Sequence, residues 1–364
     1  MLQKALVLVF VLASIACSLG CGSTSSHYLY TTVPVENQII AYREDPNSGV
    51  ITEISGSPYS VGEGANSLAL HPSGKYLYAS NPGQGGTVED DISLFDIAID
   101  GTLAESTRFP LGSSASTPQL LLIDPGGAYL YVMNTGSSNI SVFAIDSGSG
   151  ALTQVPNSPF NIGAQPLTMQ LAPSGNFLFV SYVGLSSGFV ATYSVTAGQL
   201  ALVDSEPTNG LSPYSMVINS AGTYLYASNY VNNSIAVFAI GSTGALTLQA
   251  GTPLADGYNG PLSMIFDPSG NYLYVANQTS NNVSVYTINS DGLPAALTSS
   301  TSTNAYGTEN TPSFLAIDPS GKYLFVANQG SGAGIQGFEI SSGTLTAVTI
   351  NAIGNSPSSI AILK

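Results

Sequence analysis

The chemistry open to this chain is that of carboxylates and amides. It carries 21 Asp and Glu, six Lys and Arg, two His, two Cys and no Trp. It holds no His-Glu-x-x-His pair and no phosphate loop between a strand and a helix. The informative acids are those that do not recur along the chain: Glu63, the run Glu89-Asp90-Asp91, Asp256 and Glu309, with Tyr258 and Asn310 beside them. A second set, Asn66, Gln119, Gln165, Tyr214 and Ser313, sits at or next to the start of apolar runs. Carboxylates with amide carbonyls are hard oxygen ligands suited to Ca²⁺, and a bound Ca²⁺ can polarise a carbonyl and activate water. Glu63, Asp90 and Glu309 are the candidates for holding it. Amides, hydroxyls and tyrosines alone suit a neutral sugar or a peptide. Each loop acid also reads simply as a solvated surface group.

The net charge is −15 and only 7% of residues are charged, against about 25% in ordinary chains. Nucleic acid is excluded as a partner, because neutralising phosphates needs clustered Lys and Arg. Docking on an anionic membrane surface is excluded for the same reason.

Repetition supplies the elements that must position these groups. A turn followed by an aromatic strand recurs as HPSGKYLYASN from His71, DPGGAYLYVMN from Asp124, APSGNFLFVSY from Ala172, NSAGTYLYASN from Asn219, DPSGNYLYVAN from Asp267 and DPSGKYLFVAN from Asp318. The turn glycines, Gly74 to Gly321, are spaced by 53, 48, 47, 48 and 51 residues. A seventh copy, around His27 to Val33, lacks the turn but lies in register. Each period reads as four short strands. Strand A is a Pro-led apolar run. Strand B carries the Tyr-Leu-Tyr triplet, whose two aromatics share one face. Strand C is Ile-Ser-Val-Phe-like, and a second Gly-containing turn leads to strand D. Tandem four-stranded units of this length predict an all-β, seven-bladed propeller spanning residues 27–364. The chain begins at a strand B and ends on a lone strand A, Pro357 to Ile362, so the last strand is expected to complete the first blade.

These residues resemble a known family. Pro-Ser-Gly-x-Tyr-Leu-Tyr-Val-Ala-Asn followed by Ser-Val-Phe/Tyr is similar to the seven-bladed lactonase-type propellers, the group that includes 6-phosphogluconolactonase, and to the Tyr-Val-Thr-Asn repeat propellers. The resemblance implies the fold and an ester hydrolase acting on a sugar lactone. In such a ring the A–B and C–D loops share one face, and the D–A and B–C loops share the other, around the channel mouth where ligands bind. Lys75, Lys322, His71, His27 and Arg43 fall on or beside the first face. Arg108, on an outer strand, is the one cation near the second. A phosphorylated lactone would require Arg or Lys there, so an unphosphorylated lactone is the expected substrate. The alternative is a non-catalytic propeller binding carbohydrate or an envelope protein on that face. The Asn that ends most strands B is read as a cap of the strand end.

Residues 1–20, with Lys4 ahead of an apolar run from Ala5 to Ala16, have the form of a secretory signal. Ser18-Leu19-Gly20-Cys21 resembles a lipoprotein cleavage box. The expectation is export to the cell envelope, a lipid anchor on Cys21, a tether over residues 21–26, membrane contact through the lipid alone, and a monomer.

Overall fold

The computed structural model describes residues 27–83, 90–297, 304–330, 334–352 and 356–363. The signal, the tether, Cys21, Glu89 and Lys364 lie outside the described residues. Seven antiparallel sheets are formed, of four or five strands each, in the order A-B-C-D from the axis outward. Blade 1 is closed as expected. Its strand A is the C-terminal Ile360–Leu363, paired with His27–Val33, so that Thr31 faces Ile360. Blades 2 to 7 take their strands from consecutive sequence. In blades 1, 3, 5 and 6, strand D is split into two short pieces, such as Leu246–Leu248 and Leu254–Ala255, both paired with strand C. Among the described residues the helical content is one 3₁₀ turn, Pro34–Glu36.

The Asp-Pro-Ser-Gly motif makes the A–B turn by closing on itself. Asp267 Oδ1 accepts the Tyr272 amide at 2.8 Å, and Oδ2 accepts the Ser269 amide at 3.2 Å. Asp124, Asn219 and Asp318 receive the amide five residues on in the same way.

The first aromatic of every strand B performs a second task. It packs against the glycine of the C–D turn in the next blade. Tyr28 meets Gly101, Tyr76 meets Gly150, Tyr129 meets Gly198, Phe177 meets Gly244, Tyr224 meets Gly292, Tyr272 meets Gly343, and Tyr323 of blade 7 meets Gly49 of blade 1. A Cβ at any of these glycines would fall 2.2–2.8 Å from a ring atom. The second aromatic of the triplet is buried between blades, and in blades 1, 2 and 5 its hydroxyl donates to the same turn. Tyr30 reaches Gly101 O at 2.9 Å, Tyr78 reaches Gly150 O at 2.7 Å and Tyr226 reaches Gly292 O at 2.6 Å.

These contacts separate two costs of adding a methyl group. Gly150 (φ +70°) sits under Tyr76, whereas Gly163 (φ +80°) has nothing within 4 Å of a built Cβ. Gly163→Ala is expected to cost about 1 kcal/mol, from the left-handed backbone alone. Gly150→Ala is expected to cost about 2–4 kcal/mol, because overpacking adds to that strain. Urea midpoints at unchanged slope check the difference.

Candidate functional site

A cavity of about 630 Å³ runs into the ring axis and is lined by residues in or just ahead of strand A of all seven blades. Its mouth is built by a bulge. In blades 3 to 7 the A–B register shifts just after the strand-opening proline. The residue after the proline is therefore left out of the ladder: Gln119, Leu167, Tyr214, Leu262 and Ser313 in turn. A bulge of this kind re-aims a side chain, and all five line the cavity. Ser358 and Asn66 hold the same place ahead of strand A in blades 1 and 2 and line it too.

The seven positions divide by chemistry. Blades 7, 1, 2 and 3 contribute a polar arc of Ser313, Ser358, Asn66 and Gln119, and blades 4 to 6 an apolar arc of Leu167, Tyr214 and Leu262. The polar arc is linked internally. Ser358 Oγ donates to Asn66 O at 2.9 Å, and Asn66 Nδ2 donates to Gln119 Oε1 at 2.6 Å. With its Oε1 so engaged, Gln119 offers its NH₂ group to a ligand. Tyr214 is 41% exposed and meets the edge of Tyr230 at 5.5 Å between centroids. Below the mouth, strand A hydroxyls tie neighbouring blades: Ser67, Ser215 and Ser263 accept the amides of Leu121, Met264 and Leu315. Among the described residues lining the cavity, none is an acid, a base or a histidine.

The structure thus gathers Asn66, Gln119, Tyr214 and Ser313 at one site and leaves the other sequence candidates outside its lining. Gln165 is exposed beside Pro166. Asp90 Oδ2 accepts the Thr117 amide at 2.8 Å, holding one D–A loop to a B–C loop. Asp91 accepts from Asn81 Nδ2, and burial pushes its carboxyl upward. Glu63 is half-buried in the loop between blades 1 and 2. Glu309 lies between blades 6 and 7, where its amide donates to Gln336 Oε1 at 3.0 Å and its own Oε2 is buried. The expected Ca²⁺ site is corrected accordingly. Glu63, Asp90 and Glu309 do not bring ligand atoms within 4.8 Å of one another. Among the described residues one trio does, His27, Glu44 and Asp318, on the opposite face. Glu44 there is held up at about 8 by its burial and by the neighbouring carboxylates of Asp318 and Asp45. Arg108 is engaged by Glu105, at 2.6 Å.

The strand-ending asparagines are structural, and four of them act through side-chain partners on strand C rather than by capping their own backbone. They are 0–2% exposed, and each of Asn81, Asn134, Asn229 and Asn277 donates to a side chain at the start of strand C. Asp256 is likewise structural, 4% exposed and hydrogen-bonded by Ser284 and Tyr286. Sequence reasoning missed Leu167 and Leu262, because it sought polar side chains. Their position after the strand-opening proline was the available signal.

This architecture defines a class: a closed seven-bladed propeller with an uncharged, two-sided channel mouth. The sequence model described as "Lactonase, 7-bladed beta-propeller" matches residues 22–164 and 216–305, and the chain belongs to that family. It is 25% identical over 184 residues to the 6-phosphogluconolactonase of Pectobacterium carotovorum, covering 49% of this chain and 54% of that one. It is also 25% identical over 275 residues to that of Cronobacter sakazakii, covering 63% and 82%. The chain spans about half the length of the Pectobacterium and Serratia relatives it matches, 54% and 53%. Among solved structures, the periplasmic gluconolactonase of Pseudomonas aeruginosa superposes with a TM-score of 0.78 at 21% identity, covering 93% of this chain and 99% of that one. A Lactobacillus plantarum protein gives 0.78 at 20%, covering 93% and 99%.

Burial keeps the Asp256 carboxyl protonated up to about 6, against 3.8 ordinarily. The folded state thus holds this proton more tightly than the unfolded chain. Stability from this group is complete below pH 4 and is lost as pH rises to about 6. Asp256→Asn should remove a fall of about 3 kcal/mol across that window. Denaturant melts of both proteins at pH 4 and pH 7 check it.

Proposed function

We propose that this lactonase-family propeller takes an unphosphorylated sugar lactone at the D–A/B–C mouth of its channel. The observation that carries this reading is the uncharged mouth, with a hydrogen-bonded Ser-Asn-Gln arc facing a Leu-Tyr-Leu arc. A sugar lactone has the same two sides, hydroxyls at its rim and C–H groups on its faces. A phosphorylated one would bring two negative charges to a site without a cation to pair them, at a large desolvation cost. The Gln119 NH₂ group is the donor placed to polarise a lactone carbonyl, and Tyr214 supplies the stacking surface. The names of the relatives, 6-phosphogluconolactonase and gluconolactonase, agree on lactone chemistry and differ on the phosphate. The N-terminal segment supports an exported, envelope location with a lipid on Cys21, where unphosphorylated sugars are the available kind.

One observation favours a second reading, binding without turnover. Hydrolysis requires a group to take a proton from water, and the described channel lining holds no acid or histidine. In that reading the mouth holds a neutral carbohydrate or an envelope protein.

Titration of glucono-1,5-lactone and of its 6-phosphate, with spontaneous hydrolysis subtracted, separates these readings. The neutral lactone should bind saturably and be hydrolysed above background. Gln119→Ala and Tyr214→Ala should each weaken its binding about tenfold, a loss of roughly 1.4 kcal/mol. Saturable binding without hydrolysis would establish the second reading. A preference for the phosphorylated lactone would overturn both.

A further inference from the structure

The face opposite the channel mouth carries a different constellation, at the seam where blade 7 meets blade 1. His27 opens strand B of blade 1, and Glu44, ending strand C, is its cross-strand partner. Asp318 begins the A–B turn of blade 7. His27 Nδ1 lies 3.2 Å from Glu44 Oε2 and 3.8 Å from Asp318 Oδ2, and one ligand atom of each residue lies within 4.8 Å of the others. Both carboxylates are 0% exposed and the imidazole 11%. Glu44 Oε1 is buried and accepts no hydrogen bond. Two ionised carboxylates against one imidazole would leave excess negative charge even with the ring protonated, and such charge is costly unless paired.

We propose that His27, Glu44 and Asp318 form a transition-metal site, with Zn²⁺ as the ion of choice, that staples the two ends of the ring. Two carboxylates and a neutral imidazole balance a divalent charge. A nitrogen ligand disfavours Ca²⁺ and Mg²⁺, which take oxygen, and suits Zn²⁺. Tetrahedral ligands about 2.1 Å from Zn²⁺ stand about 3.4 Å apart, and the two distances from Nδ1 bracket that spacing. Asp318 is already oriented by its turn. Oδ1 accepts the Tyr323 amide, and Oδ2 accepts the Ser320 amide and hydroxyl. These bonds use three of a carboxylate's roughly four acceptor sites, and a metal at Oδ2 would take the place of the rotatable Ser320 hydroxyl. The Lys322 ammonium is directed elsewhere, to Asn47 O at 3.0 Å and to Tyr323 Oη at 2.7 Å. Asp45, next to Glu44, is solvent-exposed and adds to the negative field.

The site is tested on the full chain after chelation and dialysis, by titrating Zn²⁺ in a calorimeter and following the thermal melt. One equivalent should bind and raise the melting temperature by about 5 °C at saturating metal. Glu44→Gln preserves shape and can still accept from His27, so it should stay folded and lose at least about 100-fold in Zn²⁺ affinity, a free-energy loss of roughly 2.7 kcal/mol. Should Glu44→Gln fail to fold, His27→Gln is read in its place with the same expectation. Failure of the folded wild type to take up one equivalent would overturn the proposal. So would a folded variant that binds Zn²⁺ as tightly as the wild type. Neither outcome touches the lactone reading, which concerns the other face.

Discussion

Everything in this molecule rests on an aromatic ring lying on a glycine. The contact occurs once at each of the seven blade junctions, always from the first aromatic of strand B to the C–D turn of the following blade. Because the turn residue has no side chain, the ring reaches its backbone, which sets the separation of neighbouring sheets at one edge. Sheets held close at that edge and fanned by their own twist close into a circle. The hydroxyls of Tyr30, Tyr78 and Tyr226 add directed bonds to the same turns. In a chain with so few charges, apolar packing and neutral hydrogen bonds of this sort supply the cohesion that ion pairs cannot.

That clamp leaves the opposite face free to vary. Since the blades are held through strands B and C, strand A needs only to pair on one side, and its proline-led start can bulge toward the axis. One residue per blade is thereby exempted from the ladder and turned to the channel. The ring of seven positions can vary in chemistry without disturbing a hydrogen bond of the sheet, which is how a polar arc and an apolar arc come to face one another on a nearly symmetric scaffold.

The blade number, the strand order and the closing strand were all legible in the turn glycines and in the lone apolar run after Pro357, because both follow from local periodicity. Asn66, Gln119, Tyr214 and Ser313 were legible as mouth residues because their place beside the strand A start is itself periodic. The acids were not. Asp90 turns onto the Thr117 amide and Asp256 onto Tyr286. Such partners lie 27 and 30 residues away and are invisible to spacing. The repeat places His27 beside the face opposite the channel mouth and says nothing of its neighbours there. Its meeting with Asp318 depends on blade 7 coming round to blade 1, a contact across almost the whole chain.

The last strand gives the chain an unusual timetable. Thr31 forms its inner pairing only with Ile360, so the first blade to be synthesised is the last to be finished. Until then its inner edge carries unpaired backbone groups, and six complete blades can stand as an open arc. The entropy of joining such distant segments grows only logarithmically with their separation, and the aromatic contacts at the earlier junctions have already brought them near. Completion of the first sheet and closure of the channel are therefore one event, and the channel mouth exists only after it.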